Sequence, residues 1–280
     1  CPLTKAPRFG PIRAMTTLDN ATARRIFLDR HALAEAPTGV AHGVALASLI
    51  DRIGFVQVDS INTVERAHHM ILWSRRQSYR PDALKHLLEE KRALWEHWTH
   101  DASILPIRLH PLWQHRFARD AERLHKNWRS WFRDGYEAQF DTILRRIESD
   151  GPVTSSDVGQ GEARGKGGWW DWHPSKTALE WLWRTGQLAI ARRDGFQKVY
   201  DLAERVIPLA HRVAPPDPQA LIDWACTSAL ASLALAILFA YLARAWRRVA
   251  DEETHAQHLA EKAAEAQNTN SGRPKSMIQP

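Results

Sequence analysis

Residues 169–186, WWDWHPSKTALEWLWRTG, run straight into residues 187–202, QLAIARRDGFQKVYDL, and this passage decides the architecture. Pro174 suits the first turn of a helix, where a missing N–H costs nothing, and Gly186 suits its end. Between them Leu179, Leu182 and Trp183 share one face. Two short β-prone runs follow, split by Arg193-Asp194-Gly195, a hairpin signal. Upstream, Phe140, Ile143, Leu144 and Ile147 recur at i, i+3, i+4 and i+7, the spacing of an amphipathic helix. SDGPVTSSDV then predicts a turn and a fresh helix start at Thr154 to Ser156. Three helices followed by a hairpin is the winged-helix plan, in which the third helix is laid in a DNA groove and the hairpin is the wing. His173, Lys176, Arg184, Arg192, Arg193 and Lys198 fall on or near that face and are the expected DNA contacts. A winged helix used only for protein contacts has the same pattern.

Towards the N-terminus the plan repeats. LDNATARRIFLDRHAL predicts a helix with Asp19 and Asn20 as capping candidates. In GVALASLIDRIG, Leu46, Leu49, Ile50 and Ile53 form an amphipathic stripe closed by Gly54. The strand FVQVD comes next. From Asn62 onward Val64, Ala67 and Ile71 predict a helix ending near Arg76, and another is expected over Ala83 to Leu94, leading into EHWTHDASILP. HPLWQHRFARDAERLHKNWRSWFRD reads as one long basic helix with a solvated charged face.

The fold class expected is therefore mainly α with small β-hairpins, built from tandem winged-helix (helix-turn-helix) domains. The expected boundaries are an N-terminal extension over 1–14 and a first winged-helix-like domain over 15–105 carrying the QVD motif. A connecting basic helix over 106–135 and a second winged helix over 136–207 follow. A helical unit over 208–264, a partial third domain, and a loose polar tail over 265–280 complete the chain.

A length of 280 residues allows a sizeable core, and 38 Lys and Arg against 32 Asp and Glu leave a net charge of +6, a moderate lean towards polyanions. The 13 Trp include several beside His or Arg, which suits both nucleic-acid contacts and plain packing. Cys1 and Cys226 form no ligand spacing, which points to a reducing compartment without disulfides or structural zinc. The first fourteen residues lack the apolar centre of a secretion signal, and Met15 is the expected natural start. WACTSALASLALAILFAYLA, residues 224–243, is charge-free and flanked by Arg244, Arg247 and Arg248, as a membrane span would be. Its Thr and Ser interruptions and Ala-rich composition match a buried helix pair equally.

Within FVQVD, Gln57 and Asp59 stand two positions apart, so both side chains point to the same side of an extended chain. Such a pair suits the cleavage of an N-glycosidic bond. The sugar approaches an oxocarbenium ion, an anion beneath it stabilises the charge, and a neutral amide positions the attacking water. The structural alternative is that Asp59 caps the helix expected near Asn62 while Gln57 satisfies buried backbone.

LIDRIGFVQVDSINTVERAHHMILWSR, residues 49–75, with LWEHWTHDASILP, residues 94–106, closely resembles the winged-helix DNA glycosylases of the YcaQ/AlkZ type. The resemblance extends from Met15 to Val206, and DWACTSALASLALA and YLARAWRRVADEE resemble the family's next helical unit, with ILFAY where a polar turn is expected. It implies an enzyme that removes N7-alkylated purines and unhooks interstrand crosslinks. The implied catalytic residues are those of the Q-x-Q or Q-x-D strand before R-A-H-H, here Gln57 and Asp59. Arg66, His68, His69 and His100 are implied to line the DNA-facing site. The resemblance further implies a soluble, cytoplasmic, nucleoid-associated bacterial monomer acting without cofactor or metal on double-stranded DNA with alkylated or crosslinked purines, and no membrane. It also implies a β-rich C-terminal domain, which the sequence up to Pro280 does not include, so a fragment or shortened member is expected.

Other motifs fail on chemistry. Glu65, His68 and His69 do not make H-E-x-x-H, adjacent histidines on a helix point about a hundred degrees apart, and His97 with His100 makes only H-x-x-H. GQGEARGKGG lacks G-K-[ST] and reads as a connector. Two function classes remain: a DNA glycosylase, or a non-catalytic winged-helix DNA-binding protein or regulator in which Gln57 and Asp59 are structural.

Overall fold

The computed structural model describes residues 19–128, 135–159, 162 and 173–232. The N-terminal extension, most of the Gly-rich connector, Trp169 to Trp172, the second half of the charge-free stretch and the tail lie outside the described residues. The chain divides into two compact units, Leu28–Leu230, and Cys1–Phe27 with Ala231–Pro280. The expected boundaries near residues 105, 135 and 207 all fall inside the first.

Helix α1 (Asn20–Arg30) starts at Asp19, whose carboxylate accepts from the Thr22 amide and hydroxyl, both at 2.9 Å. That is an N-cap, satisfying a donor that has no partner within the helix. Helix α2 (Gly43–Ile53) buries Leu46, Leu49 and Ile50, and Gly54 ends it at φ +89°, a conformation that suits glycine. Strand β1 (Val56–Gln57), α3 (Ala67–Trp73), α4 (Pro81–Glu89), β2 (Leu94–Trp98) and β3 (Ala102–Pro106) complete a winged-helix plan. Its sheet is antiparallel in the order β1-β3-β2.

The long α5 (His110–Trp128) leads to a second copy. There α6 (Phe140–Asp150) ends at Gly151 with φ +94°, as α2 ends at Gly54. Next come β4 (Val153–Thr154), α7 (Pro174–Arg184), β5 (Leu188–Asp194) and β6 (Gln197–Leu202). Their antiparallel order, β4-β6-β5, repeats that of the first sheet. Short α8 (Ala203–Val206) and α9 (Pro218–Ser232) follow. The molecule is thus mainly α with two small sheets; the first copy has the full winged-helix order, and in the second most of the stretch between β4 and α7, where a further helix is expected, lies outside the described residues. Among the described residues no helix is long and apolar enough to cross a membrane.

Three local expectations are corrected. Residues 62–66 are not helical: α3 begins only at Ala67, and Val64, counted on its apolar face, is 88% exposed. Leu94 belongs to β2 rather than to a helix, because Lys91 and Ala93 fold back on α4 through the His86 and Leu87 carbonyls. Thr154 ends strand β4 rather than starting a helix, and its amide and hydroxyl both donate to Asp157 Oδ2 at 2.7 Å, closing a turn.

One hydrophobic core joins the two copies, running from Leu46, Ile50 and Leu72 through Ile143 and Ile147 to Leu179, Leu182 and Trp183. Helix α7 is its centre: every side chain from Ser175 to Trp183 except the half-buried Lys176 is buried. The groove-reading role expected of a third helix is therefore closed to those side chains. The reason is packing, since α7 lies against α5, α6, β2 and β5. The Trp183 indole donates to the Glu96 carbonyl at 3.3 Å, and His97 Nε2 donates to the Trp183 carbonyl at 3.0 Å. This reciprocal pair fastens α7 to β2 with no backbone ladder between them.

Candidate active site

The site forms where β1 leaves α2. Val56 and Val58 are buried while Gln57 and Asp59 are half-buried on the opposite side of the strand, the alternation that a pleat imposes. The register pairs Val56 with Ile104 and Gln57 with Ser103, and the Val58 amide extends the pairing to the Ala102 carbonyl at 2.8 Å. That register brings the β2–β3 turn, Thr99 to Asp101, against Gln57.

The Gln57 amide is held at both ends. Oε1 accepts from His100 Nε2 at 3.2 Å, and Nε2 reaches Asp101 Oδ2 at a long 3.4 Å. His100 stands edge-on to Phe55 with ring centroids 5.7 Å apart, and its Nδ1 meets the Thr99 hydroxyl at 3.2 Å. Asp101 caps its own strand, accepting from the Ala102 amide at 2.7 Å. A second carboxylate therefore belongs to the site, and sequence reasoning missed it. The signal was present in THDAS, a polar turn between two buried strands, but its neighbour Gln57 lies 44 residues away.

Asp59 Oδ1 accepts from the Ile61 amide at 2.9 Å, a two-residue turn closed by its own side chain. It does not cap α3, which begins eight residues later with Arg66 as its N-cap residue. Oδ2 makes no hydrogen bond among the described residues. Behind it the Asp59 amide donates to His68 Nδ1 at 3.4 Å. Burial, with the nearby His69, Arg193 and Arg66, lowers the His68 pKa to about 4, so the ring is neutral and that nitrogen keeps its lone pair. His69 Nδ1 is hydrogen-bonded to the buried Tyr79 hydroxyl at 2.7 Å, and burial lowers its pKa too. The rings of His68 and His69 come within 4.2 Å, closer than the divergence expected of helix neighbours, because they stand at the very start of α3.

The remaining expected contacts separate into groups. Arg66, His68, His69, Arg192 and Arg193 line a cleft of ≈ 190 Å³ on the Val58 side of the sheet, away from the Gln57 side chain. Within it Arg66 and Arg193 lie over Phe196, 4.5 and 4.4 Å from the ring centroid. Arg193 also grips the buried Glu96 through two nitrogens at 2.8 and 2.6 Å, and Arg192 pairs with Asp194 at the hairpin tip. Lys198 and Arg184 gather instead around Glu180, whose pKa burial alone would raise but which Lys198 at 2.6 Å, Arg184 and the Tyr200 hydroxyl hold lowered. Lys176 is half-buried beside the same carboxylate. At the start of α7, His173 Nδ1 lies 3.2 Å from the Lys176 amide and 3.1 Å from Glu162 Oε2, two contacts of which that one ring nitrogen can make only one at a time. His97, the other half of H-x-x-H, is buried against Trp183, whereas His100 is exposed.

A family model for AlkZ-like DNA glycosylases matches residues 50–274, most of the chain and all of this site. The chain belongs to that family of DNA-repair glycosylases. No solved structure matches it.

Proposed function

We propose that the protein hydrolyses the N-glycosidic bond of N7-alkylated purines in double-stranded DNA, and unhooks interstrand crosslinks of that chemistry, with Gln57 and Asp59 as the catalytic pair. The observation that carries this reading is the half-open strand end, with an amide and a carboxylate on one side, the amide oriented by His100 and Asp101 and one carboxylate oxygen uncommitted. An N7-alkylguanine is a cation, so it departs with the bonding electron pair as a neutral base and needs no proton donor. Asp59 stabilises the positive charge growing on the sugar and takes a proton from the water that attacks C1′, while Gln57 holds that water. No covalent enzyme intermediate is required, which makes the reaction monofunctional. A crosslinked base cannot swing freely into a deep pocket. Gln57 and Asp59 are half-buried at the surface, in keeping with an open site. In this reading the protein acts as a monomer on chromosomal DNA in the cytoplasm, and Arg66 and His100 approach the backbone.

The non-catalytic alternative draws on the same hydrogen bonds, since Asp59 closes a turn and Gln57 joins strand to hairpin. Release of free base from N7-methylguanine duplex separates the two. Wild type releases base, Asp59→Ala and Gln57→Ala each lose about 10²-fold or more in single-turnover rate, and Asp101→Asn loses less. Tight duplex binding without release by any form would leave the protein a binder only.

A further inference from the structure

Helix α5 carries four neighbouring charges that the proposed chemistry does not use. Asp120 is fully buried, and three arginines of the same helix converge on it: Arg116 at 3.3 Å, Arg123 at 3.2 Å and Arg119 at 3.7 Å. Only the Arg116 contact is an aligned hydrogen bond; Asp120 Oδ1 has none. Arg184 of α7 adds a fourth positive charge close enough to interact with Asp120, Arg116 and Arg123. Arg184 is itself met by Glu180, so Asp120 is left to three guanidinium groups of α5 and the patch keeps an excess of two positive charges. Its outer members are open: the Arg119 side chain is 66% and that of Arg123 49% exposed. The inner member is tied to the active site, because Arg116 donates to the Thr99 carbonyl at 2.5 Å and Thr99 begins the turn that presents His100 and Asp101 to Gln57.

We infer that Arg116, Arg119 and Arg123, gathered around Asp120, form a binding site for a DNA backbone phosphate beside the turn that holds Gln57. The inference rests on the glycosylase reading for its choice of polyanion. Asp120 draws the three guanidinium groups together, Arg116 through a hydrogen bond and the other two through charge alone, and Arg119 and Arg123 stay open to solvent, where phosphodiester oxygens can meet them. A phosphate held there sits on the strand flanking the nucleotide over Gln57 and Asp59, and sets its register without reading its base.

The test measures equilibrium affinity for an undamaged duplex across a series of salt concentrations. It compares wild type, the double variant Arg119→Gln with Arg123→Gln, and Arg145→Gln, an exposed arginine of α6, as the control. Neutralising a phosphate contact removes about 0.9 from the slope of log K against log salt. The double variant is expected to lose about one from the slope and roughly tenfold in affinity at 0.1 M salt, measured at a temperature where circular dichroism shows it folded. The control keeps both. An unchanged slope in the double variant overturns the inference, as does an equal loss in the control or a wild type without duplex affinity. Base release by wild type is measured in parallel, so a protein that shows the slope change but releases no base loses the glycosylase reading and keeps the phosphate site.

Discussion

One oxygen of Asp59 holds the Ile61 amide, and the other makes no hydrogen bond among the described residues, so a single side chain both shapes its loop and faces outward. Behind it the buried imidazole of His68 accepts from the same residue's amide. Burial lowers the His68 pKa to about 4 and that of His97 to about 3, against about 6.5 for a histidine in an unfolded chain. Both rings are neutral in the folded protein through the whole interval in which the unfolded chain takes up protons. Their contribution to stability is complete above pH 6.5 and is lost progressively as pH falls towards 4, because the unfolded state binds the additional protons. Urea midpoints at pH 7.5 and pH 5 are expected to differ by the equivalent of about 2–4 kcal/mol. Replacing His68 by Gln should remove roughly half of that dependence, and an identical profile in the variant would show that His68 is not the titrating group.

At the level of elements, the end of α7 is the most constrained point. Gly186 has φ +81°, and a Cβ added there would stand 2.4 Å from the Phe117 ring of α5. Conformation and close approach therefore demand glycine together. Gly186→Ala is expected to destabilise the fold by about 1–3 kcal/mol, read from denaturant unfolding, through strain at positive φ and displacement of Phe117. This junction was legible in the sequence, because Pro174 and Gly186 bracket α7 and Arg-Asp-Gly marks the hairpin. Strand β2 was not. Leu94, Trp95, Glu96 and His97 are all buried, so no alternation distinguishes strand from helix. Glu96 finds its partner Arg193 97 residues away, a distance no local pattern reports. The apparent helix from Asn62 failed for the opposite reason: Val64 matched the helical period while facing water.

Across Leu28–Leu230 the two winged helices share a core, which makes them one folding unit rather than separate modules. Tryptophan fluorescence and far-ultraviolet circular dichroism should report one coincident unfolding transition. Ile147→Ala, at a fully buried position in the second copy, is expected to lower it by about 2–5 kcal/mol for both probes. Two separate transitions would contradict a shared core. At this scale the tandem plan could be read from repeating helical stripes and glycine stops, and the pair Gln57 and Asp59 could be named from its strand and its resemblance. The fate of the positive charges could not. Arg193, Lys198 and Arg184 looked like an open basic face, yet Glu96 and Glu180 face them from distant elements. Arg119 and Arg123, set aside as ordinary solvated charges, surround a buried carboxylate instead.

The brevity of β1 has its own consequence. Two ladder residues and one further amide are all the backbone pairing that fixes its frame against β3. A displacement by one position would turn Val56 and Val58 to water and bring the amide and carboxylate inside. What keeps Gln57 and Asp59 outward is thus the greasy underside of the strand, Val56 and Val58. Losing Phe55, the residue between Gly54 and Val56, would turn Gln57 and Asp59 inward rather than merely shift them.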